Sequence, residues 1–341
     1  MSMSKREALL AEWRRARRVP FESIPLIDMG PFIDGSDRAG VAEKIGAACR
    51  NVGFLYVTNH GIPVSLIDGA MAEARRFFAE PESKKLALHI NKSRAHRGYF
   101  PLFEENTDPT QHADFKEGFD LARDLPASDP DVLAGKPLHG PNVWPAELPG
   151  FRETIERYYA ALTRLAETLM EAFALSLDLD EGYFRPMLDE AMGALRLLHY
   201  PPQAATVVDN AVGCGAHTDY GCLTILAQDA NGGLQVQNAR GEWIAAPPIP
   251  GAFVINLGDQ MARWTNDVFA ATPHRVINLS GRERYSMPFF YEPNYDALIR
   301  CLETCRSPED PPKYADVVAG DYLVSRFNDT FSYRGAETAE A

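Results

Sequence analysis

The sequence predicts a mainly β protein with flanking helices (α+β), in which a helical and mixed N-terminal region packs against a double-stranded β-helix, or jelly roll. Two observations lead to this fold class. After Met192, short apolar runs recur roughly every 8 to 12 residues between Gly, Asn, Asp and Pro, a spacing typical of antiparallel sandwiches and barrels. Before Met192, apolar runs alternate with segments of helical spacing.

Residues 1–150 are expected to form the N-terminal region. Apolar spacing there predicts, in chain order, a strand, a helix, a strand and a helix at 24–28, 41–52, 53–57 and 64–78. Residues 88–149 contain many Pro, Gly, Asp and Asn, so we expect loops there that lie over a site.

Residues 151–341 are expected to hold a long helix, the jelly roll and a C-terminal helix, and to form one structural unit with the first region. The strongest helical pattern covers 151–175, where Ile155, Leu162 and Leu169 share a face. A last helix is predicted near 314–326. The short apolar runs predict strands at 194–200, 222–228, 234–237, 243–245, 252–256, 274–279 and 285–291.

The composition is that of an ordinary globular protein, with 45% hydrophobic and 24% charged residues among 341. A net charge of −13 argues against nucleic acid and anionic membranes as partners, because phosphate groups would be repelled. No apolar run reaches the roughly 18 residues of a transmembrane helix. Five cysteines without CxxC spacing fit a reducing cytoplasm. A small molecule remains as the expected partner, and no pattern indicates an oligomeric state.

A candidate metal site lies in the segment GAHTDYG. His217 and Asp219 are two residues apart, so an extended strand would present an imidazole and a carboxylate on one face. This spacing alone is a weak signal. His274, at the start of another predicted strand, supplies a third ligand, and two histidines with one carboxylate form the ligand set of non-haem iron(II) oxygenases. The three residues predict an iron(II) site with open positions for a co-substrate and O2.

A second candidate site follows on the last predicted strand, where Arg284 and Ser286 share a face. A guanidinium and a hydroxyl directed together into a barrel favour a carboxylate ligand, because charged hydrogen bonds are worth roughly 1.5–3 kcal/mol each. A buried arginine without a partner would be costly. We therefore expect an anionic ligand in this pocket.

These motifs resemble the 2-oxoglutarate and iron(II)-dependent oxygenases of the isopenicillin N synthase-like group. The resemblance covers nearly the whole chain, through IPLIDMGPF, GFLYVTNHGIP, LRLLHYPP, HTDYGCLTIL, GGLQV, NLGD, PHRVIN and RYSMPFFYEPN. HTD, HRV and RYS in this order are specific to the group. More narrowly, LRLLHYP, ARWTNDVFAATPHRV and RYSMPFFYEPN look like the thymine 7-hydroxylase type.

The resemblance implies that iron(II) is bound by His217, Asp219 and His274. It implies that Arg284 and Ser286 hold the distal carboxylate of 2-oxoglutarate and that Tyr200 adds a hydrogen bond. It also implies the reaction: 2-oxoglutarate and O2 give succinate, CO2 and an oxidant that removes a substrate hydrogen. This chain has Leu198 where plant members of the group often have Asn, which puts one co-substrate contact in doubt.

The thymine-hydroxylating type has substrate-lining residues at the positions of Arg196, Tyr220 and Phe290. Arg196 shares a strand face with Tyr200, so the strand geometry also directs Arg196 towards the pocket. The alternative is that Arg196 forms an ion pair on the surface. Tyr220 and Phe290 could equally pack in the core. Phe100, in the irregular region, is a candidate residue of a lid over the substrate.

Three functions are compatible with these signals. The first is 2-oxoglutarate-dependent hydroxylation or desaturation of a small, flat, partly polar molecule, for example a pyrimidine-like heterocycle. The second is fragmentation of 2-oxoglutarate to ethylene, since RGYF and HTDYG are also similar to that bacterial type. The third is a non-catalytic jelly-roll sensor of 2-oxoglutarate. The intact ligand triad and the narrower resemblance favour the first.

Overall fold

The computed structural model describes residues 23–107, 114–202, 212–278 and 280–331. In chain order its strands are β1 (Leu26–Asp28), β2 (Phe54–Thr58), β3 (Gly98–Phe100), β4 (Glu117–Ala122), β5 (Ala194–Tyr200), β6 (Cys214–His217), β7 (Leu223–Gln228), β8 (Leu234–Gln237), β9 (Trp243–Ala245), β10 (Phe253–Leu257), β11 (His274–Val276), β12 (Arg284–Tyr291), β13 (Leu298–Ile299) and β14 (Val317–Val318).

The α-helices are α1 (Gly30–Ile33), α2 (Arg38–Asn51), α3 (Val64–Phe78), α4 (Glu82–Ala87), α5 (Pro130–Leu133), α6 (Phe151–Ser176), α7 (Asp259–Trp264) and α8 (Ala319–Thr330). Short 3₁₀ helices lie at Ile90–Lys92, Arg185–Met187 and Glu303–Cys305. Within the described ranges, none of these helices combines the length and the apolar character needed to cross a bilayer.

Two sheets form the jelly roll. The larger has eight strands in the order β1-β2-β10-β7-β12-β5-β4-β3, and the smaller has four in the order β6-β11-β8-β9. Strands from before residue 150 therefore lie at both ends of the larger sheet, hydrogen-bonded to strands of the second region. The long helix α6 packs on α2, α3 and the outer face of β7 and β12.

The central strands direct alternate side chains to opposite faces of the larger sheet. Odd-numbered residues of β5, β7 and β12 pack with α6 in the main hydrophobic core, and even-numbered residues face the space between the two sheets. The core side includes Leu195, Leu197, Leu223, Ile225, Met287 and Phe289. The inner side includes Arg196, Leu198, Tyr200, Thr224, Leu226, Arg284, Ser286 and Phe290.

The predicted fold class is confirmed, and several elements have the predicted bounds. The helix at 64–78 and the strands at 194–200, 234–237 and 243–245 agree with the structure, and the long helix extends one residue past its predicted end to Ser176. Strong periodicity is the common feature of these segments.

Two element predictions were wrong. Residues 88–149 are not all loop, because β3 and β4 lie there and every residue of β4 is buried between β3 and β5. Gly118 and Asp120 are typical of turns, but pairing with two neighbouring strands decides their conformation. The C-terminal helix begins at Ala319 rather than near 314, because β14 first pairs with β13.

Gly118 of β4 is required by a close contact, which gives a testable prediction. A Cβ at this position would lie 2.1 Å from Cζ of Phe100. Gly118→Ala is therefore expected to lower the free energy of unfolding by roughly 1–3 kcal/mol through overpacking. Gly69→Ala in α3 is the control, since its Cβ would meet nothing closer than 3.6 Å and alanine favours a helix. Equal urea midpoints for both variants would contradict the contact.

Candidate active site

The three candidate metal ligands meet where β6 and β11 pair. His274 is the cross-strand partner of His217, and the two ring centroids are 4.3 Å apart. Asp219 lies in the turn after β6 rather than on the strand. Its Oδ1 is 3.7 Å from Nε2 of His217 and 3.6 Å from Nε2 of His274. One ligand atom of each residue lies within 4.8 Å of the other two, so the triad fits a single metal ion.

Both imidazoles are oriented by backbone carbonyl oxygens. Nδ1 of His217 lies 2.8 Å from the oxygen of Gly215, and Nδ1 of His274 lies 3.2 Å from that of Thr272. A proton on Nδ1 donates to each carbonyl, which leaves the Nε2 lone pair for a metal. The donor set of the triad, two neutral imidazoles and a carboxylate, is one that iron(II) accepts.

Asp219 is held by two residues that sequence reasoning did not assign to the site, Thr224 and Asn256. Its Oδ2 accepts hydrogen bonds from Oγ1 of Thr224 at 2.5 Å and Nδ2 of Asn256 at 2.6 Å. Burial alone would raise the pKa of Asp219, but His274, His217 and the Thr224 hydroxyl hold this pKa below its ordinary value. The carboxylate is therefore ionised, with Oδ1 left available for a metal.

Arg284, Ser286 and Tyr200 come together on the inner face of β12 and β5. Arg284 is 1% exposed, and its Nη1 donates to Oγ of Ser286 at 3.0 Å. The Tyr200 ring lies 4.6 Å from its Cζ. The hydrogen-bond acceptors that the described residues offer Arg284 are all neutral: Ser286 and the oxygens of Gly232 and Gln228. A buried guanidinium in this setting fits an anionic ligand.

A cavity of about 140 Å³ connects the triad to this cluster between the two sheets. A water molecule needs only roughly 10–15 Å³ on the same scale, so the space suits a small molecule. Phe54, Leu226, Leu234 and Val276 line the end near Arg284. Tyr220, Phe290, Met192, Leu323 and Phe327 line the other end. We call this second part the distal end of the cavity.

Arg196 lines the distal end, but its charge is already paired. Asp120 receives two parallel hydrogen bonds from it at 2.7 and 2.8 Å, and Glu105 receives a third at 2.9 Å. Lys116 pairs with Glu105 at 2.9 Å and with Asp114 at 2.6 Å. Burial would raise the pKa of Glu105, but Arg196 and Lys116 outweigh it and hold this pKa at about 2. Both cations of this network are therefore paired with carboxylates inside the protein.

Tyr220 and Phe290 are both partly buried and line the cavity, as the resemblance implies for substrate-lining residues. Phe100 does not line the cavity: it is fully buried, 5.0 Å from the Arg196 guanidinium, in the same hydrophobic cluster as Leu198 and Tyr200. It supports Arg196 rather than covering the site. Residues 88–149, which were expected to lie over the site, do form part of the cavity wall. They do so through residues such as His96, Arg97, Asp120 and Leu138.

Glu292 is a further cavity residue that sequence reasoning missed. It follows β12 on the even-numbered face, is 6% exposed and lies against Gly221 in the HTDYG turn. Burial, and after it the charge of Asp219, raise the pKa of Glu292 to about 8. The alternation of β12 was the one signal that could have found it.

Comparisons with known proteins identify the family. Residues 24–147 match the family described as the N-terminal part of the non-haem dioxygenase in morphine synthesis, and residues 191–293 match the 2OG-Fe(II) oxygenase superfamily. A 2-oxoglutarate-Fe(II) type oxidoreductase of Emericella nidulans is 38% identical over 314 residues, which is 90% of each chain. The chain belongs to the 2OG-Fe(II) oxygenase superfamily.

Other relatives of this oxygenase differ in what they act on. A homoarginine-6-hydroxylase of Arabidopsis thaliana is 34% identical, with 92% of this chain and 98% of the relative covered. Among solved structures, Neurospora crassa thymine 7-hydroxylase in complex with alpha-KG and thymine is 31% identical, with a TM-score of 0.82 over 92% of this chain and 99% of that one.

This oxygenase uses iron(II), 2-oxoglutarate and O2, and couples oxidative decarboxylation of 2-oxoglutarate to oxidation of a substrate. The predicted reaction class is confirmed. The comparisons support neither ethylene formation nor a non-catalytic sensor, because the named relatives are oxidoreductases and hydroxylases.

Proposed function

We propose that this oxygenase hydroxylates a small, flat, uncharged molecule at iron held by His217, Asp219 and His274, with 2-oxoglutarate anchored by Arg284, Ser286 and Tyr200. The observation that carries the co-substrate assignment is Arg284, a buried cation with neutral acceptors beside the triad. An incoming carboxylate supplies the counter-charge that the described residues do not.

The distal end of the cavity supports the substrate class. Much of its wall is formed by the aromatic and aliphatic side chains of Tyr220, Phe290, Met192, Leu323 and Phe327, which favour a flat apolar body. Arg196 and Lys116 are already paired with Asp120, Glu105 and Asp114, so neither cation is left to bind an anionic substrate. Structures of a relative that bind thymine are consistent with such a molecule.

Each residue has a defined task in this proposal. The bound metal and 2-oxoglutarate supply the oxidising equivalents that convert a substrate C–H bond. The two histidines present Nε2, and Thr224 and Asn256 orient Asp219 so that Oδ1 faces the ligand site. Arg284 fixes the far carboxylate of 2-oxoglutarate. Tyr220 and Phe290 hold the substrate against the triad and keep water out.

A substrate panel tests this proposal. Pyrimidines, plant-hormone-like acids and amino acids are incubated with protein, iron(II), 2-oxoglutarate and O2, and succinate release is measured. An uncharged ring is expected to stimulate release on the order of tenfold over the substrate-free rate, because a filled cavity couples decarboxylation to oxidation. Reactions without iron(II) are the control. Stimulation by acids or amino acids alone would overturn the substrate class.

We also propose a location from the state of the cysteines. All five are unpaired and buried, which supports a reducing compartment such as the cytoplasm.

A further inference from the structure

The turn that joins α2 to β2 contacts the segment that leads into β11. We call residues 49–54 the α2–β2 turn. The backbone N–H of Ala270 donates to the carbonyl oxygen of Cys49 at 3.0 Å. Oγ1 of Thr272 donates to the carbonyl oxygen of Val52 at 2.7 Å, and Thr272 is 2% exposed. Two hydrogen bonds therefore tie the N-terminal region to the segment before β11.

Gly53 allows this contact to be close. Its φ is +71°, and a Cβ at this position would collide with the carbonyl oxygen of Ala270 and with Oγ1 of Thr272. Glycine is the residue that combines this backbone conformation with this clearance. The α2–β2 turn and the segment before β11 are therefore packed directly against each other.

Thr272 links this turn to a candidate metal ligand. Its side chain is bonded to Val52, and its carbonyl oxygen lies 3.2 Å from Nδ1 of His274. A proton on Nδ1 that donates to this oxygen leaves the lone pair on Nε2. Phe54, which is fully buried, packs edge-on against the imidazole with the ring centroids 5.2 Å apart. The position of His274 thus depends on the N-terminal region, which supplies none of the three candidate ligands.

His217 is anchored in a comparable way. The carbonyl oxygen of Gly215 lies 2.8 Å from Nδ1 of His217, and the backbone N–H of Gly215 donates to Oδ1 of Asp114 at 2.9 Å. Each imidazole is therefore oriented by a residue that is itself bonded to the N-terminal region. Asp114 also pairs with Lys116, so its substitution would disturb a second interaction. Thr272 offers the cleaner test, because a single hydroxyl forms its bond.

We propose that Thr272 is a positioning residue of the iron centre. Its hydroxyl fastens the segment before β11 to the α2–β2 turn, and its carbonyl oxygen then holds His274 with Nε2 directed at the metal. Residues that orient a ligand in this way typically change metal affinity by roughly 10- to 100-fold when they are altered. This inference rests on the proposed function, because it takes His274 as an iron ligand.

The iron(II) affinity of two variants tests the inference. Thr272→Val removes the hydroxyl and keeps the shape of the side chain, whereas Thr272→Ser keeps the hydroxyl. Equilibrium dialysis without O2 is expected to show that Thr272→Val binds iron(II) at least about tenfold more weakly than the wild type. The affinity of Thr272→Ser should stay close to the wild-type value. Cobalt(II) is the spectroscopic probe: its visible absorption should change in Thr272→Val and match the wild type in Thr272→Ser.

Thr265→Val is the matched control. Thr265 is also fully buried, and its Oγ1 donates to the carbonyl oxygen of Met261 at 2.8 Å, but it takes no part in the link to His274. Both valine variants lose a buried hydrogen bond, so both are expected to unfold at a lower urea concentration than the wild type. The binding of iron(II) should weaken in Thr272→Val alone.

Amide hydrogen exchange of the wild-type chain tests the same coupling without a substitution. Iron(II) bound to His274 favours the oriented state of the imidazole and hence the contact with the α2–β2 turn. Addition of iron(II) without O2 is therefore expected to slow exchange in residues 49–54. This measurement applies even if Thr272→Val does not fold.

An unchanged iron(II) dissociation constant in Thr272→Val would overturn the inference, as would one raised equally in Thr272→Ser or in Thr265→Val. Exchange in residues 49–54 that does not respond to iron(II) would also overturn it. In each case, loss of iron(II) binding in His274→Ala leaves the proposed iron centre standing. If His274→Ala instead binds iron(II) as tightly as the wild type, the proposed centre fails, and the role of Thr272 fails with it.

Discussion

Asp219→Ala is expected to abolish iron-dependent succinate formation. The substitution removes the only anionic ligand candidate among the three residues that meet at β6 and β11 within the described chain. Two neutral imidazoles remain, and they bind iron(II) without the carboxylate that offsets its charge. The loss is expected to exceed the roughly 10- to 100-fold that follows removal of a residue that only supports a ligand. The loss is measured in two ways: as iron(II) affinity by equilibrium dialysis, and as the rate of succinate release.

Asn256→Ala is the matched comparison. It keeps all three ligands and removes one hydrogen bond to Oδ2 of Asp219. Its iron(II) affinity is expected to fall by roughly 10- to 100-fold, with activity recovered at high iron(II). Asp219→Ala should show no such recovery. If Asp219→Ala turns over normally at saturating iron(II), the carboxylate is not a ligand and the proposed centre is wrong.

Arg284→Ala is expected to raise the KM for 2-oxoglutarate by about 10- to 100-fold, because charged hydrogen bonds are worth roughly 1.5–3 kcal/mol each. A high concentration of 2-oxoglutarate should restore part of the activity, since the triad is intact. The KM of Arg284→Lys for 2-oxoglutarate should lie between those of the wild type and Arg284→Ala, because an ammonium group keeps the charge but lacks the planar pair of N–H donors. Steady-state succinate kinetics with 2-oxoglutarate as the varied component provide the measurement.

Arg282→Ala controls for the loss of an arginine close to Arg284, since Arg282 lies two residues before the same strand. Its side chain is exposed, and the resulting variant is expected to keep the wild-type KM. Full activity of Arg284→Ala at low 2-oxoglutarate would remove this residue from the co-substrate site.

The sequence predicted the inner residues of the jelly roll well because they obey a local rule. Side chains two positions apart on a strand share a face, so Arg284 with Ser286 and Arg196 with Tyr200 could be paired without knowing the sheet order. The structure places all four on the cavity side.

Contacts between distant strands could not be predicted in this way. Thr224 and Asn256 bind the same oxygen of Asp219 because they are cross-strand partners in β7 and β10. That register depends on the packing of the whole sheet, which a single sequence does not display. Arg196 was likewise placed correctly towards the cavity, whereas its two carboxylate partners arrive from β4 and the segment before it.

The position of β4 in the larger sheet has a consequence for how such enzymes diverge. Arg97, Asp120 and Leu138 precede the candidate iron and co-substrate residues in the sequence, yet they line the same cavity. Exchange of the segment before α6 between relatives would therefore change part of the cavity wall and leave the candidate metal ligands in place. The oxidising machinery would be inherited unchanged, and new substrates could arise without rebuilding the metal centre.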